Sequence, residues 1–221
     1  MRRPKHRPAN EPLFEHHRAA LARYEHAPYN YDPAIAALST RLPGWQYDHS
    51  ASALPPELPG PPLPQGSFAA ARELLYTYAF PPPDLLVGTY DPARPLEQRI
   101  MLLRARFLGF TFWFGVKVVD VVDEVRDGEQ VWGYGYRTLA GHFERGQINF
   151  SVHKNLATGA VEFRMASVSQ RGRIRNPLYW LGFLVFGRLL QRRFVRQGHA
   201  RMRALVAEML AAPRTMPAAA G

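Results

Sequence analysis

Between residues 84 and 170 the apolar residues recur at every second position through six consecutive runs: DLLVGTYD, EQRIMLLRARFLG, FTFWFGVKVVDVVDEV, QVWGYGYRTL, GQINFSVHKN and AVEFRMASVSQ. A period of two places alternate side chains on opposite faces of an extended strand. The links between runs are short and carry turn pairs such as Asp127-Gly128 and Thr158-Gly159, which suit hairpins and are too short for the crossover that parallel neighbours need. Six strands joined in this way predict one antiparallel, strongly curved meander. In the third run the apolar positions sit on even numbers from Phe110 to Val118 and then move to Val119 and Val121. An inserted bulge does this, and it would help the sheet to bend.

The period changes to that of a helix at the end of the chain. Residues 177–210 form an unbroken helical pattern with Pro177 at its start, where the missing N–H is harmless. Trp180, Phe183, Leu184, Gly187, Leu190, Phe194, Gly198, Met202, Leu205 and Met209 share a broad face, with Arg192, Arg193, Arg196 and Arg203 opposite. Leu178, Leu181, Val185 and Leu189 make the other side of the first half apolar as well, so that half needs cover on both sides. Ahead of the meander, Ser67 is an expected N-cap for FAAARELLYTYAF, whose Phe68, Ala71, Leu75 and Tyr78 recur at three and four and which Pro81 to Pro83 stop. Residues 13–25 suit a short helix and 44–51 a first strand. The proline-rich stretch 54–66 reads as an extended surface loop, better explained as a rigid connector than as a ligand of proline-recognising domains.

A length of 221 residues with 47% hydrophobic residues suits one domain. The expected boundaries are a basic, partly disordered extension over 1–28, one domain over 29–211 and a disordered tail over 212–221. The absence of cysteine excludes disulfides, thiolate metal sites and cysteine nucleophiles. No apolar segment follows the basic start as a signal peptide would require, and a cytoplasmic protein is expected. The formal charge of +10 favours anionic partners. The apolar run 178–186 is about half of the ~20 residues a membrane-spanning helix needs. Peripheral contact of the last helix with an anionic membrane is weighed against a core helix lying across a concave sheet, and the core reading is favoured because a curved sheet needs a cover for its apolar face. The arginines of that helix have no exposed aromatics beside them, so specific nucleic-acid recognition is not indicated. Arg104 and Arg106 share a strand face and are expected to face solvent.

One strand, a helix after a proline-rich spacer, six antiparallel strands and a long last helix is the order of the helix-grip fold: α+β, with a curved antiparallel sheet wrapped around a C-terminal helix. ARFLGFTFWFGVKVVDVVDE, YGYRTLAGHFERGQINFSV and LLQRRF together resemble the family catalogued as domain of unknown function nineteen-ninety, grouped with the START-like and birch-pollen-allergen-like (SRPBCC) proteins. The family pattern runs Gly-Thr-Leu-Pro-Gly-His-Pro-Glu and then Gly-Glu-Glu before a Phe. Thr138, Leu139, Gly141, His142, Glu144, Gly146 and Phe150 agree with it. Arg137 stands in place of the first Gly, Ala140 and Phe143 replace the prolines, and Gln147-Ile148 replace the acidic pair. The resemblance implies the fold and a cavity between sheet and helix, and supplies no reaction.

In the strand over residues 130–139, Trp132, Tyr134, Tyr136 and Thr138 share one face, and Gly133, Gly135 and Arg137 the other. The aromatic face suits an apolar pocket with polar tips, and plain core packing explains it equally well. His142 and Glu144 differ by two and would point the same way, close enough for the carboxylate to orient the imidazole. No nucleophile with an elbow context accompanies them, and no histidine spacing marks a metal site. Fixing the turn by hydrogen bonds to backbone outweighs catalysis for this pair. The function expected is binding of a small hydrophobic or amphipathic molecule, with Trp113, Tyr134, Tyr136 and Phe163 as walls, His142 and Glu144 as polar contacts, and no cofactor. The alternatives are a cyclase or hydrolase using His142 and Glu144 as acid and base, and a peripheral membrane or partner-binding protein using the basic last helix.

Overall fold

The six runs become six neighbouring strands in the order in which they leave the chain. The structure is a computed structural model; it describes residues 11–34, 43–107, 109–171 and 177–212, with 177–188 described by backbone. The elements are α1 (Glu11–Ala22), β1 (Gln46–Leu54), α2 (Ser67–Tyr76), β2 (Leu86–Tyr90), β3 (Ile100–Phe107), β4 (Phe110–Arg126), β5 (Glu129–Thr138), β6 (Glu144–Asn155), β7 (Val161–Arg171) and α3 (Pro177–Ala211). The sheet order is β1-β7-β6-β5-β4-β3-β2, and every pairing is antiparallel. This is the expected α+β architecture, a curved antiparallel sheet with a C-terminal helix across it. The register shifts between Val119 and Val122, with Asp120 at φ 52°, where the change of parity called for a bulge.

The concave face carries Phe114, Val116, Tyr134, Phe150, Phe163 and Met165 into one core with α2 and α3. Phe80, just beyond α2, fills its centre: its ring lies 5.0 Å from Phe150, 5.3 Å from Phe163 and 6.5 Å from Phe194. Gly198 of α3 faces Met165 and Phe80, where a Cβ would make ordinary contact at 3.4 and 3.8 Å. The face of α3 differs from expectation at its end. Val206 is fully buried, whereas Met209 is 43% exposed, because the buried line steps by four from Gly198 through Met202 to Val206 and leaves Met209 beyond it. The expected inward placement of Phe183 and Gly187 lies outside the described side chains, and residues 1–10 and 213–221 lie outside the described residues.

The convex face is covered at the β3–β4 end by α1, where Leu21 joins Ile100, Leu102 and Leu139 in a second small core. A Cβ at Gly115 would collide with the Tyr24 ring, so the glycine is what lets the segment after α1 lie flat on β4.

Both ends of α2 are secured from a distance. Ser67 was the expected N-cap, but its hydroxyl donates to the Pro55 carbonyl at 2.6 Å. Glu57 replaces it, accepting the Phe68 N–H at 2.8 Å and the Leu63 N–H at 2.9 Å. Lys154, fully buried, donates to Glu57 and to the Pro61 carbonyl, each at 2.8 Å, so the proline-rich loop is fastened to β6. Burial would raise the Glu57 pKa; the hydrogen bonds from Lys154 and the two backbone N–H groups outweigh it and hold the pKa below its ordinary value. At the other end α2 stops at Tyr76, ahead of the prolines, with Tyr78 at φ 54°. The carbonyls of Leu75, Tyr76 and Thr77 accept from the Tyr134 hydroxyl (2.9 Å), the Arg99 guanidinium (2.6 Å) and the Tyr90 hydroxyl (3.1 Å). A cation is well placed there, at the negative end of a helix and over the Tyr90 ring, 3.9 Å away.

Candidate functional site

The link from β5 to β6 is a tight turn held from three sides. Gly141 at φ 91° supplies the left-handed residue that a side chain would strain. The Ala140 N–H donates to the Pro28 carbonyl at 2.8 Å, and Tyr29 bridges to Leu139, so the segment before Asn30 runs alongside the turn. The Asn30 amide then donates to two turn carbonyls, of Glu144 at 2.7 Å and of His142 at 3.3 Å. Its oxygen accepts from the Thr138 hydroxyl at 2.6 Å, and that hydroxyl accepts the Gly146 N–H at 3.0 Å.

His142 completes the turn through its ring. Its Nδ1 accepts the backbone N–H of Glu144 at 2.9 Å, and the ring rests against Phe114 (4.2 Å between centroids) and Phe143 (4.7 Å). The expected orientation of imidazole by carboxylate is corrected here: the ring takes Glu144's amide, while the Glu144 side chain turns to α3 and accepts from the Gln191 amide. Burial pushes the His142 pKa down to about 3, against the raising effect of the Glu144 backbone, so the ring is neutral at pH 7. Tyr136 lies behind it with its hydroxyl 3.3 Å from that of Tyr78. Burial, with the Glu144 charge adding and the Tyr78 hydrogen bond opposing, pushes the Tyr136 phenol up to about 12. Two phenols, an imidazole, a carboxylate and an amide therefore meet aromatic side chains at one end of the concave face.

The other candidates are spread around the sheet. Tyr134 is one row further in, its hydroxyl committed to Leu75, and Phe163 is fully buried against Phe80 and the His199 ring. Trp113 is no wall of this site. It is 41% exposed on the convex face, 4.7 Å from the His17 ring and beneath Arg104, because its parity is opposite to that of Phe112 and Phe114, which face the core. Arg106 is exposed, as a solvent-facing position should be. On β5 the aromatics point inward and the glycines backward, where a Cβ at Gly133 would collide with the Phe150 carbonyl.

Sequence reasoning missed Asn30, Gln191 and Tyr78, whose partners lie far along the chain. It also missed a polar cluster on the convex face. Ser151 Oγ lies 2.9 Å from His153 Nε2, and His153 Nδ1 lies 2.8 Å from a Glu129 oxygen, the distances of a nucleophilic triad. The i, i+2 spacing of Ser151 and His153 was the available signal. The Arg164 guanidinium decides against that chemistry: it grips both Glu129 oxygens and stands 2.9 Å from His153 Nδ1. The strand amides around Ser151 are paired in the ladder, so no donors await an oxyanion. Among the described residues no three His, Asp or Glu side chains converge as metal ligands would, and no helix is long and apolar enough to cross a membrane.

The family described as Domain of unknown function (DUF1990) matches residues 30–201. Among solved structures, the chain is similar to Ara h 8.0201 (12% identity, 76% of this chain and 99% of that one, TM-score 0.42). It is also similar to ginseng major latex-like protein 151 from Panax ginseng (12%, 73% and 97%, TM-score 0.40). A third is an uncharacterized protein from Rhizobium leguminosarum (12%, 74% and 98%, TM-score 0.35). No curated protein matches the sequence.

Proposed function

This chain belongs to the family described as Domain of unknown function (DUF1990), and we propose that it binds a small hydrophobic or amphipathic molecule between the concave face of the sheet and α3. The observation that carries the reading is the composition of one end of that face. Phe112, Phe114 and Phe143 pack with ring centroids 5.1–6.2 Å apart, and Phe110 beside them is 56% exposed. Within the same few residues lie the Tyr136 and Tyr78 hydroxyls, His142 and Glu144. Apolar walls with a few convergent polar groups are what a small-molecule site needs. Plain packing accounts well for Phe163 and Tyr134, which sit where Phe80 fills the core, and poorly for polar tips gathered at a half-open aromatic rim.

The acid–base alternative draws less from the geometry. A neutral imidazole whose Nδ1 is occupied by a backbone N–H, with its nearest carboxylate turned to Gln191, lacks the arrangement a general base requires. Contact of α3 with an anionic membrane is supported by the exposure of Leu189 together with Arg192, Arg193 and Arg196. Native mass spectrometry of the full chain purified from its own host tests the main reading. A non-covalent mass excess that vanishes on denaturation is expected. The bare chain mass in every preparation, with no uptake from a lipid extract, would overturn it.

A further inference from the structure

We propose that His142 selects the ligand: locked in one tautomer, it offers a single N–H donor to an oxygen of an uncharged amphiphile, while Glu144 beside it disfavours anionic ones. The inference rests on the binding reading above and deepens it. A backbone N–H can only donate, so Nδ1 of His142, which receives the Glu144 N–H at 2.9 Å, carries no proton. In a neutral ring the proton is then on Nε2. Packing against Phe114 and Phe143 keeps the ring neutral by excluding water from its charged form. Among the described residues Nε2 has no hydrogen-bond partner, although the ring's other nitrogen, the adjacent backbone and Asn30 are all paired. A donor left over at a half-open aromatic rim calls for an acceptor from outside.

The charge of that acceptor follows from the neighbours. Strand alternation puts Glu144 on the same side of β6 as Phe150 and Val152, and Arg145 on the other. The Glu144 carboxylate is near enough to Tyr136 to oppose ionisation of its phenol. A ligand carboxylate at this rim would meet the same opposition, with no protonated imidazole to offset it. A ketone, amide or ester oxygen takes the His142 donor without that repulsion.

Two measurements test this. Long-range nitrogen–proton correlation spectra of the histidine rings in the unliganded wild type should show His142 as the Nε2–H tautomer, unprotonated down to pH 5. A proton on Nδ1, or titration near the ordinary histidine value, overturns the inference whatever binds. For the ligand, displacement of Nile red by dodecanamide and by dodecanoate at pH 7.5 compares a neutral with an anionic head on one chain. Dodecanamide should compete at about tenfold lower concentration, a ratio equivalent to about 1.4 kcal/mol of opposition between the Glu144 charge and the dodecanoate head. His142→Phe should raise the dodecanamide concentration needed about tenfold while Nile red still binds, as loss of one hydrogen bond would, and Glu144→Gln should narrow the preference over dodecanoate by admitting the anion. Dodecanamide competing equally well for wild type and His142→Phe overturns the role of His142, absence of any preference over dodecanoate overturns that of Glu144, and either leaves the binding reading standing. Failure of Nile red and both amphiphiles to bind counts against the binding reading itself.

Discussion

Asn30 holds the site's turn from more than a hundred positions away in sequence, and its removal measures how much of the site depends on that tie. The side chain makes three hydrogen bonds: to the carbonyls of Glu144 (2.7 Å) and His142 (3.3 Å), and from the Thr138 hydroxyl (2.6 Å). Each contributes about 0.5–1.5 kcal/mol net. Asn30 is half-buried, so water replaces part of what is lost, and the 3.3 Å bond is the weakest. Asn30→Ala should therefore cost about 1.5–2.5 kcal/mol, a fall in melting temperature of about 4–8 °C for a chain of this size. Asn30→Asp retains the acceptor for Thr138 but sets a carboxylate against two carbonyl oxygens, and should cost more than the alanine variant. Urea unfolding at pH 7, with the slope m unchanged, reads both. A loss below about 0.5 kcal/mol for Asn30→Ala, or an aspartate variant as stable as wild type, would refute the view that this side chain organises the turn.

Glu57→Ala should cost about 3–5 kcal/mol, since it leaves the ammonium of fully buried Lys154 without its counter-ion; a loss under ~1 kcal/mol in the same urea assay would mean that water reaches Lys154. Stability should also fall with pH below about 6.5. His199, buried between the Ser50 and Ser52 hydroxyls at 2.9 and 2.8 Å, has its pKa pushed down to about 4 by burial with the Arg203 charge adding, and His142 to about 3. The unfolded chain binds protons at these histidines from about pH 6.5 downward while the folded one does not, so stability is fully present above 6.5 and is lost toward pH 4. The ceiling is about 1.4 kcal/mol per pH unit for each histidine, and because burial also lowers the His153 pKa, His199→Asn should flatten the slope of stability against pH without abolishing it; an unaltered slope would show that His199 does not contribute.

Period-two alternation settles which side of each strand faces the core, because successive side chains of an extended backbone must point apart. That is why strand order, the bulge near Val119, the inward Tyr134 and Tyr136 and the backward Gly133 could be read from residues 84–170 alone. The same rule applied to Phe112 and Phe114 puts Trp113 outside, where it meets His17 from α1. The family pattern around His142 was equally legible, since it is a run of consecutive residues. What such a run cannot contain is the identity of a partner that arrives by chain folding. Asn30 reaches the turn from 112 residues away, Glu57 reaches Lys154 across 97 and Gln191 reaches Glu144 across 47. Each depends on where a loop or helix lies relative to the curved sheet, which no local propensity fixes. The placement of the His142 proton is decided in the same way: either nitrogen of a neutral imidazole can carry it, and only the tertiary turn, by aiming the Glu144 N–H at Nδ1, assigns it to Nε2.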